Sequence, residues 1–310
     1  MKQTIDALVN PFKGNEDFAS PDDVKKVDLE TDEKIEKAFE QHKTLCRIEE
    51  YLLQKAISEM EVDLLNPSQI DFLLQKIICT NSQEQAGHGR TGLQLSKLMQ
   101  KSYDAGYTDF VLHTNDTGIV YLCNKLNAKE EKPAKVTIHG DVDKCFAEHS
   151  ANRIFDISGN IFDECGAFSQ NCKFEIKGNA EKYLGQHSVN SKFNVGGNVG
   201  ESCGRNAQGS EYNIAGNIDY FCGHKAKKCT FAIAGDANPF LGRNANGCFF
   251  AVGGEVSFSY AEFASNCTFV FAGDALRTDR ILGPGNTFVV YNPEVYNKLK
   301  YKHAKVILKQ

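Results

Sequence analysis

Three acidic residues recur at a fixed spacing in the second half of the chain: Asp236, Glu255 and Asp274, each 19 positions after the one before. If positions related in this way lie on adjacent strands, their carboxylates stand about 5 Å apart. Carboxylates at that distance suit a retaining glycosidase or a Ca²⁺ site. The same column holds Asn in earlier rows, which favours a turn position whose charged members extend into water.

Four cysteines form a second candidate cluster, at Cys203, Cys222, Cys229 and Cys248. On adjacent strands their sulfur atoms would approach one another as metal ligands. The spacing from Cys222 to Cys229 is not that of a zinc or ferredoxin site, and the same columns hold Leu, Ser and Tyr in other rows. The pattern therefore favours small buried side chains. No metal or other cofactor is predicted.

A basic strip runs through Arg205, His224, Lys225 and Arg243, with two further lysines beside it. These cations suit a phosphate group or an acidic protein partner, and an ordinary solvated surface is the alternative. No Ser-His-Asp or Cys-His catalytic set is visible in the sequence.

The stretch AGHGRTG (86–92) has the glycines and arginine of the loop used by protein tyrosine phosphatases. That loop needs a cysteine thiolate six positions before its arginine. The residue six before Arg90 is Glu84, so phosphatase chemistry is not predicted. What remains is a loop that leads into a helix, with or without an anion at the helix N-terminus.

The acidic, cysteine and basic candidates are all positioned by one repeat with a period of 19, which runs through eight rows without an insertion. Its glycine column reads Gly140, Gly159, Gly178, Gly197, Gly216, Gly235, Gly254 and Gly273. Its aromatic column reads Phe155, Phe174, Phe193, Tyr212, Phe231, Phe250, Phe269 and Phe288. Apolar residues two positions after each aromatic, and mostly Ser or Cys two positions before it, share one face of a strand. A short period without gaps indicates stacked units that contact only their neighbours.

Asn or Gly stands three positions before most of these aromatic residues, as at Asn152, Asn171, Asn190, Gly209 and Gly247. Both residue types tolerate a positive φ, so this column predicts a left-handed corner. The repeat therefore predicts a parallel β-helix with one strand per coil, wound right-handed. Eight coils at the inter-strand spacing give a rod roughly 35–40 Å long.

The segment IKGNAEKYLGQHSVNSKFNVGGN resembles the GXGXG repeat domain, which closes the large subunit of glutamate synthase and also occurs in one of the subunits of formylmethanofuran dehydrogenase. Gly178, Gly185, Phe193, Val195 and Gly197 match its frame in order. The likeness covers about residues 135–291, but the family often has Gly-Gly where this chain has pairs such as Asn-Cys. It implies a structural support without catalytic residues, and the catalytic segments of glutamate synthase are not visible here.

The flanking segments divide the chain into three predicted regions: 1–134, helical with a hairpin; 135–291, the β-helix; and 292–310, a C-terminal cap helix. Helix signals begin near Ser20, across 32–60, at Asn66 and at Thr91. The segments FVLHT and IVYLC around Asn115 predict a β-hairpin that covers the first coil. The class is α+β.

Composition restricts the functional classes. A net charge of −5 gives no sign of nucleic-acid binding, and no apolar run is long enough to span a membrane. Eleven cysteines, most of them inside the repeat, favour a reducing cytoplasm over a secreted disulfide framework. The prediction is a non-catalytic scaffold that binds a protein partner. The alternatives are an accessory subunit of a redox or amidotransferase complex and a carbohydrate-active enzyme that uses the three acids. The oligomeric state is not predicted.

Overall fold

The helical region at the start of the fold contains four helices in the described part of the chain. A computed structural model describes residues 33–80, 89–115, 117–276, 282–300 and 304–309, so the helix start predicted near Ser20 lies outside it. The helices are α1 (Glu33–Leu45), α2 (Glu50–Glu59), α3 (Pro67–Thr80) and α4 (Arg90–Asp104). No helix in these ranges is both long enough and apolar enough to cross a membrane.

The predicted start of α3 and the predicted end of α4 are both confirmed. At the start of α3, the backbone N–H of Asn66 donates to Gln69 Oε1 and the N–H of Gln69 donates to Asn66 Oδ1, each at 2.9 Å. This reciprocal pair satisfies two N–H groups that the first turn leaves free. After α4, Gly106 adopts a φ of 113°, which ends the helix. The predicted helix over 32–60 is instead two helices, because the chain turns between Leu45 and Glu50.

In the described ranges, eleven strands form one parallel sheet in chain order, which confirms the predicted solenoid. The strands are β1 (Asp109–His113), β2 (Ala134–His139), β3 (Arg153–Ile157), β4 (Lys173–Ile176), β5 (Lys192–Val195), β6 (Glu211–Ile214), β7 (Thr230–Ile233), β8 (Phe249–Val252), β9 (Thr268–Phe271), β10 (Thr287–Val290) and β11 (Lys305–Leu308). From β2 to β10 each residue pairs with the residue 19 positions later, as in Val136 with Phe155 and Phe269 with Phe288. The repeat of the sequence is therefore the register of the sheet.

A ladder of stacked rings fills the solenoid. The predicted aromatic column is fully buried, and neighbouring rings from Phe155 to Phe288 have centroids 4.6–5.0 Å apart with planes within 19° of parallel. This separation equals the spacing between strands. The one hydroxyl in the ladder, on Tyr212, lies 2.8 Å from Ser188 Oγ and donates to Gly185 O at 3.0 Å. The ladder therefore leaves no polar group of its own unpaired.

The predicted left-handed corner is also confirmed. Asn152, Asn171 and Asn190 have φ of 57°, 51° and 49°, and Gly209 has 63°. The glycine column that runs from Gly140 to Gly273 is required for a different reason. A Cβ at Gly216 would lie 2.3 Å from Asn198 Oδ1 and 2.7 Å from Gly197 O, so glycine is required there by close approach of the preceding coil.

The predicted hairpin around Asn115 is wrong. The strand β1 pairs in parallel with β2, with Phe110 opposite Val136, and residues 120–125 form a turn rather than a strand. The paired positions of this first coil are 26 apart instead of 19. The additional length includes the polar segment 127–133, which interrupts the repeat and resembles a linker in sequence.

The helical region covers the first edge of the sheet through α3. Asp71 on α3 accepts from the backbone N–H of His113 at 2.8 Å and lies 2.9 Å from His113 Nδ1. The first of these bonds satisfies a backbone N–H at the open edge of β1. Behind α4, Arg153 is only 1% exposed, and its guanidinium lies 4.5 Å from the centroid of Tyr103. Its Nη2 donates to Asn127 O at 3.2 Å, while Nε and Nη1 have no hydrogen-bond partner among the described residues.

The predicted C-terminal cap helix is only partly correct. A short helix, α5 (Pro293–Leu299), begins after Asn292, whose side chain accepts from the N–H of Glu294 at 2.8 Å. After it the chain returns to the sheet as β11, which pairs with β10. The strand was not predicted because the apolar sequence Val306–Ile307–Leu308 is short and the lysine-rich sequence around it favours a helix.

The ring ladder gives a direct test of what holds the coils together. We expect Phe193→Ala to lower the free energy of unfolding by about 3–5 kcal/mol, because it removes a buried ring that is stacked on both sides. Phe168→Ala is the matched control: this ring is also stacked on both sides, between two histidines, but it is 38% exposed. Guanidinium unfolding should show a clearly smaller loss for the control, and equal losses would contradict the core assignment.

Candidate functional site

The candidate site lies on the side of the solenoid formed by the turns, here called the turn face: positions 199–207 and their equivalents in the other coils. The side chains that fill the interior beneath it recur at every fourth position, as at Val199, Cys203 and Ala207. Between them Ser202, Gly204 and Asn206 have φ of 63°, 63° and 56°. This alternation leaves positions 201, 205 and 206 partly exposed, so each of these columns becomes a line along the solenoid.

Three of the four predicted basic residues occupy one such column. Arg205, His224 and Arg243 hold the same position on consecutive coils, and Lys225 follows His224 in the chain. Consecutive coils are joined at this column by backbone hydrogen bonds, for example from Lys225 N to Arg243 O at 2.9 Å. The structure therefore brings the predicted set together. These four residues are called the basic patch below.

The charges of the basic patch are only partly neutralised. Arg243 Nε lies 3.2 Å from Glu262 Oε2, and the Glu262 side chain is 3% exposed. Within the described ranges, Arg205 and Lys225 form no ion pair. A patch with one compensated and two uncompensated cations keeps a positive potential that an anionic partner can use.

The imidazole of His224 is affected both by burial and by these cations. Its pKa is lowered from the usual 6.5 to about 4, first by burial and then by Lys225, Arg205 and Arg243. Burial and neighbouring cations both disfavour the imidazolium. His224 is therefore neutral at physiological pH, and the positive charge of the patch belongs to its lysine and arginines.

Aromatic side chains beside the basic patch are not predicted from the sequence. Phe221 and Phe240 stack with centroids 4.7 Å apart, the ring of His224 lies 5.8 Å from that of Phe221, and the Arg243 guanidinium lies 5.5 Å from that of Phe240. Tyr220 and Phe258, one position earlier in the coil, are 45% and 51% exposed. We call Phe221, Phe240, Tyr220 and Phe258 the aromatic centre. The 19-residue period aligns these aromatic residues in two columns outside the core, so the sequence contains a signal for them.

No family model, curated protein or solved structure matches this chain. The resemblance to the GXGXG repeat domain stays a prediction that rests on the repeat residues.

The three predicted acidic residues lie exposed at the turn that follows each strand. Asp236 Oδ1 accepts from the backbone N–H of Glu255 at 2.7 Å, and Asp274 accepts from the side chain of Asn292. The asparagines of the column make the same bond, as from Asn217 N to Asn198 Oδ1 at 2.8 Å. The column therefore holds Asp, Asn or Glu because the structure needs a side-chain oxygen there that accepts a hydrogen bond from the next coil.

The four predicted cysteines lie in two separate buried columns. Cys229 N donates to Cys248 Sγ at 3.4 Å, in a column where serine hydroxyls accept the same bond in other coils. Cys203 and Cys222 belong to another column, and burial raises the pKa of Cys222 well above its usual value. Metal binding needs the thiolate. Among the residues that the structure describes, no group of three or more His, Cys, Asp and Glu side chains is arranged to hold a metal ion.

A Cys-His contact that the sequence did not reveal lies in the helical region. Cys46 Sγ is 3.5 Å from His42 Nε2, and His42 Nδ1 is 3.1 Å from Gln94 Oε1. His42 is 1% exposed. Burial is the largest cause of both pKa shifts, lowering that of His42 and raising that of Cys46. Both groups are therefore held neutral, which suits a structural hydrogen bond better than a nucleophile and its base.

The arginine of the AGHGRTG stretch is also structural. Arg90 Nε donates to Leu45 O at 3.1 Å and Nη2 donates to Ile48 O at 2.8 Å, so the guanidinium closes the turn between α1 and α2. Residues 86–88 lie outside the described ranges.

The turn assignment of the acidic column predicts how Asp236 responds to substitution. Asp236→Asn keeps the oxygen that accepts from Glu255 N and should leave the denaturation midpoint nearly unchanged. Asp236→Ala removes the acceptor and should cost about 1 kcal/mol of unfolding free energy. If Asn and Ala destabilise equally in guanidinium unfolding, the oxygen does not have this role.

The pKa of His224 predicts the pH dependence of stability. Its folded value is below the unfolded value of about 6.5, so the unfolded chain binds more protons between pH 6.5 and 4. The stabilising contribution is complete above pH 6.5 and is lost as the pH falls toward 4. NMR titration should find the pKa near 4 and a higher value in Arg205→Gln/Lys225→Gln, still below 6.5 because burial is the largest cause. An unchanged pKa in that variant would contradict the electrostatic assignment.

Proposed function

We propose that this chain is a non-catalytic interaction module: a rigid β-solenoid whose basic patch binds an acidic surface of a protein partner. The observation that carries the proposal is the concentration of cations around His224, where Arg205 and Lys225 have no ion pair among the described residues. The stacked rings of the aromatic centre lie beside them and supply apolar contact area. Aromatic residues and arginine are the residue types that dominate binding energy at protein interfaces.

The scaffold supports this function because it is stiff along its length. Each strand is hydrogen-bonded to the next through one sheet, and the core is one continuous cluster from Ile35 in α1 to Leu299 in α5. Side chains on consecutive coils are therefore held at fixed spacing, which reduces the entropy lost on binding.

All eleven cysteines are free thiols. This supports placement in a reducing compartment, and we propose the cytoplasm. A partner that is a catalytic subunit would make the chain an accessory component of an enzyme complex, as the GXGXG resemblance implies. That is a narrower form of the same proposal, and no contact in the structure favours it further.

The patch can be tested with a defined acidic probe. A short peptide of alternating Asp and Glu with one Tyr should bind the whole chain with a micromolar to sub-millimolar dissociation constant that weakens with salt. Arg205→Glu/Lys225→Glu should weaken binding at least tenfold in calorimetric titration. Bound carboxylates should also raise the pKa of His224 in the wild-type protein, because they offset the neighbouring cations.

The control moves the same charge change to the sheet side of the solenoid. Lys173→Glu/Lys192→Glu replaces one exposed and one half-buried lysine, each of which forms a surface ion pair that contributes little to stability. This variant should bind the probe like the wild type. Equal affinity for all three proteins would refute the basic patch as a binding site. Substrate turnover by the purified chain would refute the non-catalytic assignment.

A further inference from the structure

The two cations of the basic patch that have no ion pair in the described ranges converge on one imidazole. Arg205 and His224 hold the same position on consecutive coils, which the hydrogen bond from Asn206 N to His224 O joins at 2.9 Å, and Lys225 directly follows His224. Both cations act on the His224 ring, because each contributes to the lowering of its pKa. The two positive charges are therefore concentrated at one point of the turn face.

The same point also offers hydrogen-bond donors. The neutral imidazole of His224 carries one N–H group, and the side chains of His224 and Arg205 are both half-buried. The third cation, Arg243, belongs to the next coil, but Glu262 Oε2 lies 3.2 Å from its Nε and offsets its charge. A ligand at His224 would therefore meet two available positive charges and three side chains that donate, those of Arg205, His224 and Lys225.

A small dianion matches this set better than a carboxylate does. A phosphate monoester carries a charge of about −1.5 to −2 at pH 7 and has three oxygens that accept strong hydrogen bonds. It can balance both available cations and accept from all three donors at once. A carboxylate carries one negative charge and two oxygens, so two acidic side chains would be needed at the same point.

An aromatic surface begins directly beside this point. The ring of Phe221 lies 5.8 Å from that of His224 and stacks on Phe240 with centroids 4.7 Å apart. Both phenylalanine rings are half-buried, and Tyr220, which precedes Phe221, is 45% exposed. A ligand that places a phosphate at His224 can therefore pack a directly attached ring against the aromatic centre.

We propose that the basic patch and the aromatic centre together bind an aryl phosphate, which the protein partner presents as phosphotyrosine. Phosphotyrosine joins a dianion to an aromatic ring in one side chain, so it uses both features of the surface. Phosphoserine offers the dianion without the ring, and Asp or Glu offers one charge without the ring. The inference rests on the proposed function, because it names the group of the partner that the basic patch recognises.

Three matched peptides test the inference by calorimetric titration of the whole chain. Each peptide has acidic residues around one central position, which holds phosphotyrosine, tyrosine or phosphoserine. The phosphotyrosine peptide should bind at least tenfold more tightly than the tyrosine peptide and severalfold more tightly than the phosphoserine peptide. It should also raise the pKa of His224 more than the tyrosine peptide does, because the dianion brings more negative charge to the ring.

Two variants separate the two parts of the site. Arg205→Gln/Lys225→Gln should abolish the preference for phosphotyrosine over tyrosine, because it removes both available cations. Phe221→Ala should keep the preference for a phosphate but abolish the preference for phosphotyrosine over phosphoserine, because it removes the ring beside His224. Circular dichroism would verify that both variants are folded. Either variant binding the three peptides like the wild type would contradict the role given to its residues.

The matched control, Lys173→Gln/Lys192→Gln on the sheet side, should bind all three peptides like the wild type. Equal affinity of the wild type for the phosphotyrosine and tyrosine peptides would overturn the inference and leave the proposed function intact, because an acidic segment would still bind. Phenyl phosphate alone should bind more weakly than the phosphotyrosine peptide, and equal affinity would overturn the assignment to a protein partner. Failure of all three peptides to bind would reject both proposals.

Discussion

Each coil of this protein depends on the backbone hydrogen bonds that it makes to the coil before it and the coil after it. Twenty-five non-glycine residues of the described chain have a positive φ, a conformation that costs roughly 1–2 kcal/mol for an ordinary side chain. Most of them recur in register in the solenoid, where their N–H groups donate along the stack, as from Ser202 to Tyr220 O and from Asn206 to His224 O. A single coil has no such partners and would not keep this conformation alone.

Because the first and last coils each lack one neighbouring coil, the two ends of the solenoid must be covered, and they are covered in different ways. At the first end α3 contacts β1, and Asp71 binds both the backbone and the ring of His113. Close behind, the guanidinium of Arg153 is buried with two nitrogens unbonded in the described structure. Burial of an incompletely paired cation is costly, so Arg153 offsets part of the stabilisation that the contact between α4 and the solenoid provides. At the other end the chain adds β11, a short strand that begins with Lys305 and is followed by Lys309. Lysine on an edge strand discourages further pairing.

The period of the repeat is sufficient to predict the strands, their register, the inward columns and the left-handed corner at Asn152 and its equivalents. It fails where the period is broken. The longer first coil resembles a hairpin and a linker, and β11 resembles part of a helix. For the site, the period places Arg205, His224 and Arg243 in one column and also aligns Phe221 with Phe240. Because these two rings lie at turn positions outside the strand and core columns, their stacking beside the basic patch depends on the conformation of the turn. The contact of Cys46 with His42 and Gln94 depends on how two helices pack, and one sequence does not determine that packing.

The uniform register between β2 and β10 also has a consequence for how this protein can change over generations. Any coil presents the same backbone donors and acceptors to both of its neighbours, so an internal duplication or deletion of one whole coil would join one unit to another without altering either terminus. The length of the rod can therefore vary in steps of about 4.8 Å while the helical region and the final strand are inherited unchanged. Tandem duplication in the gene would therefore set the distance between the helical region and the final strand in units of one coil.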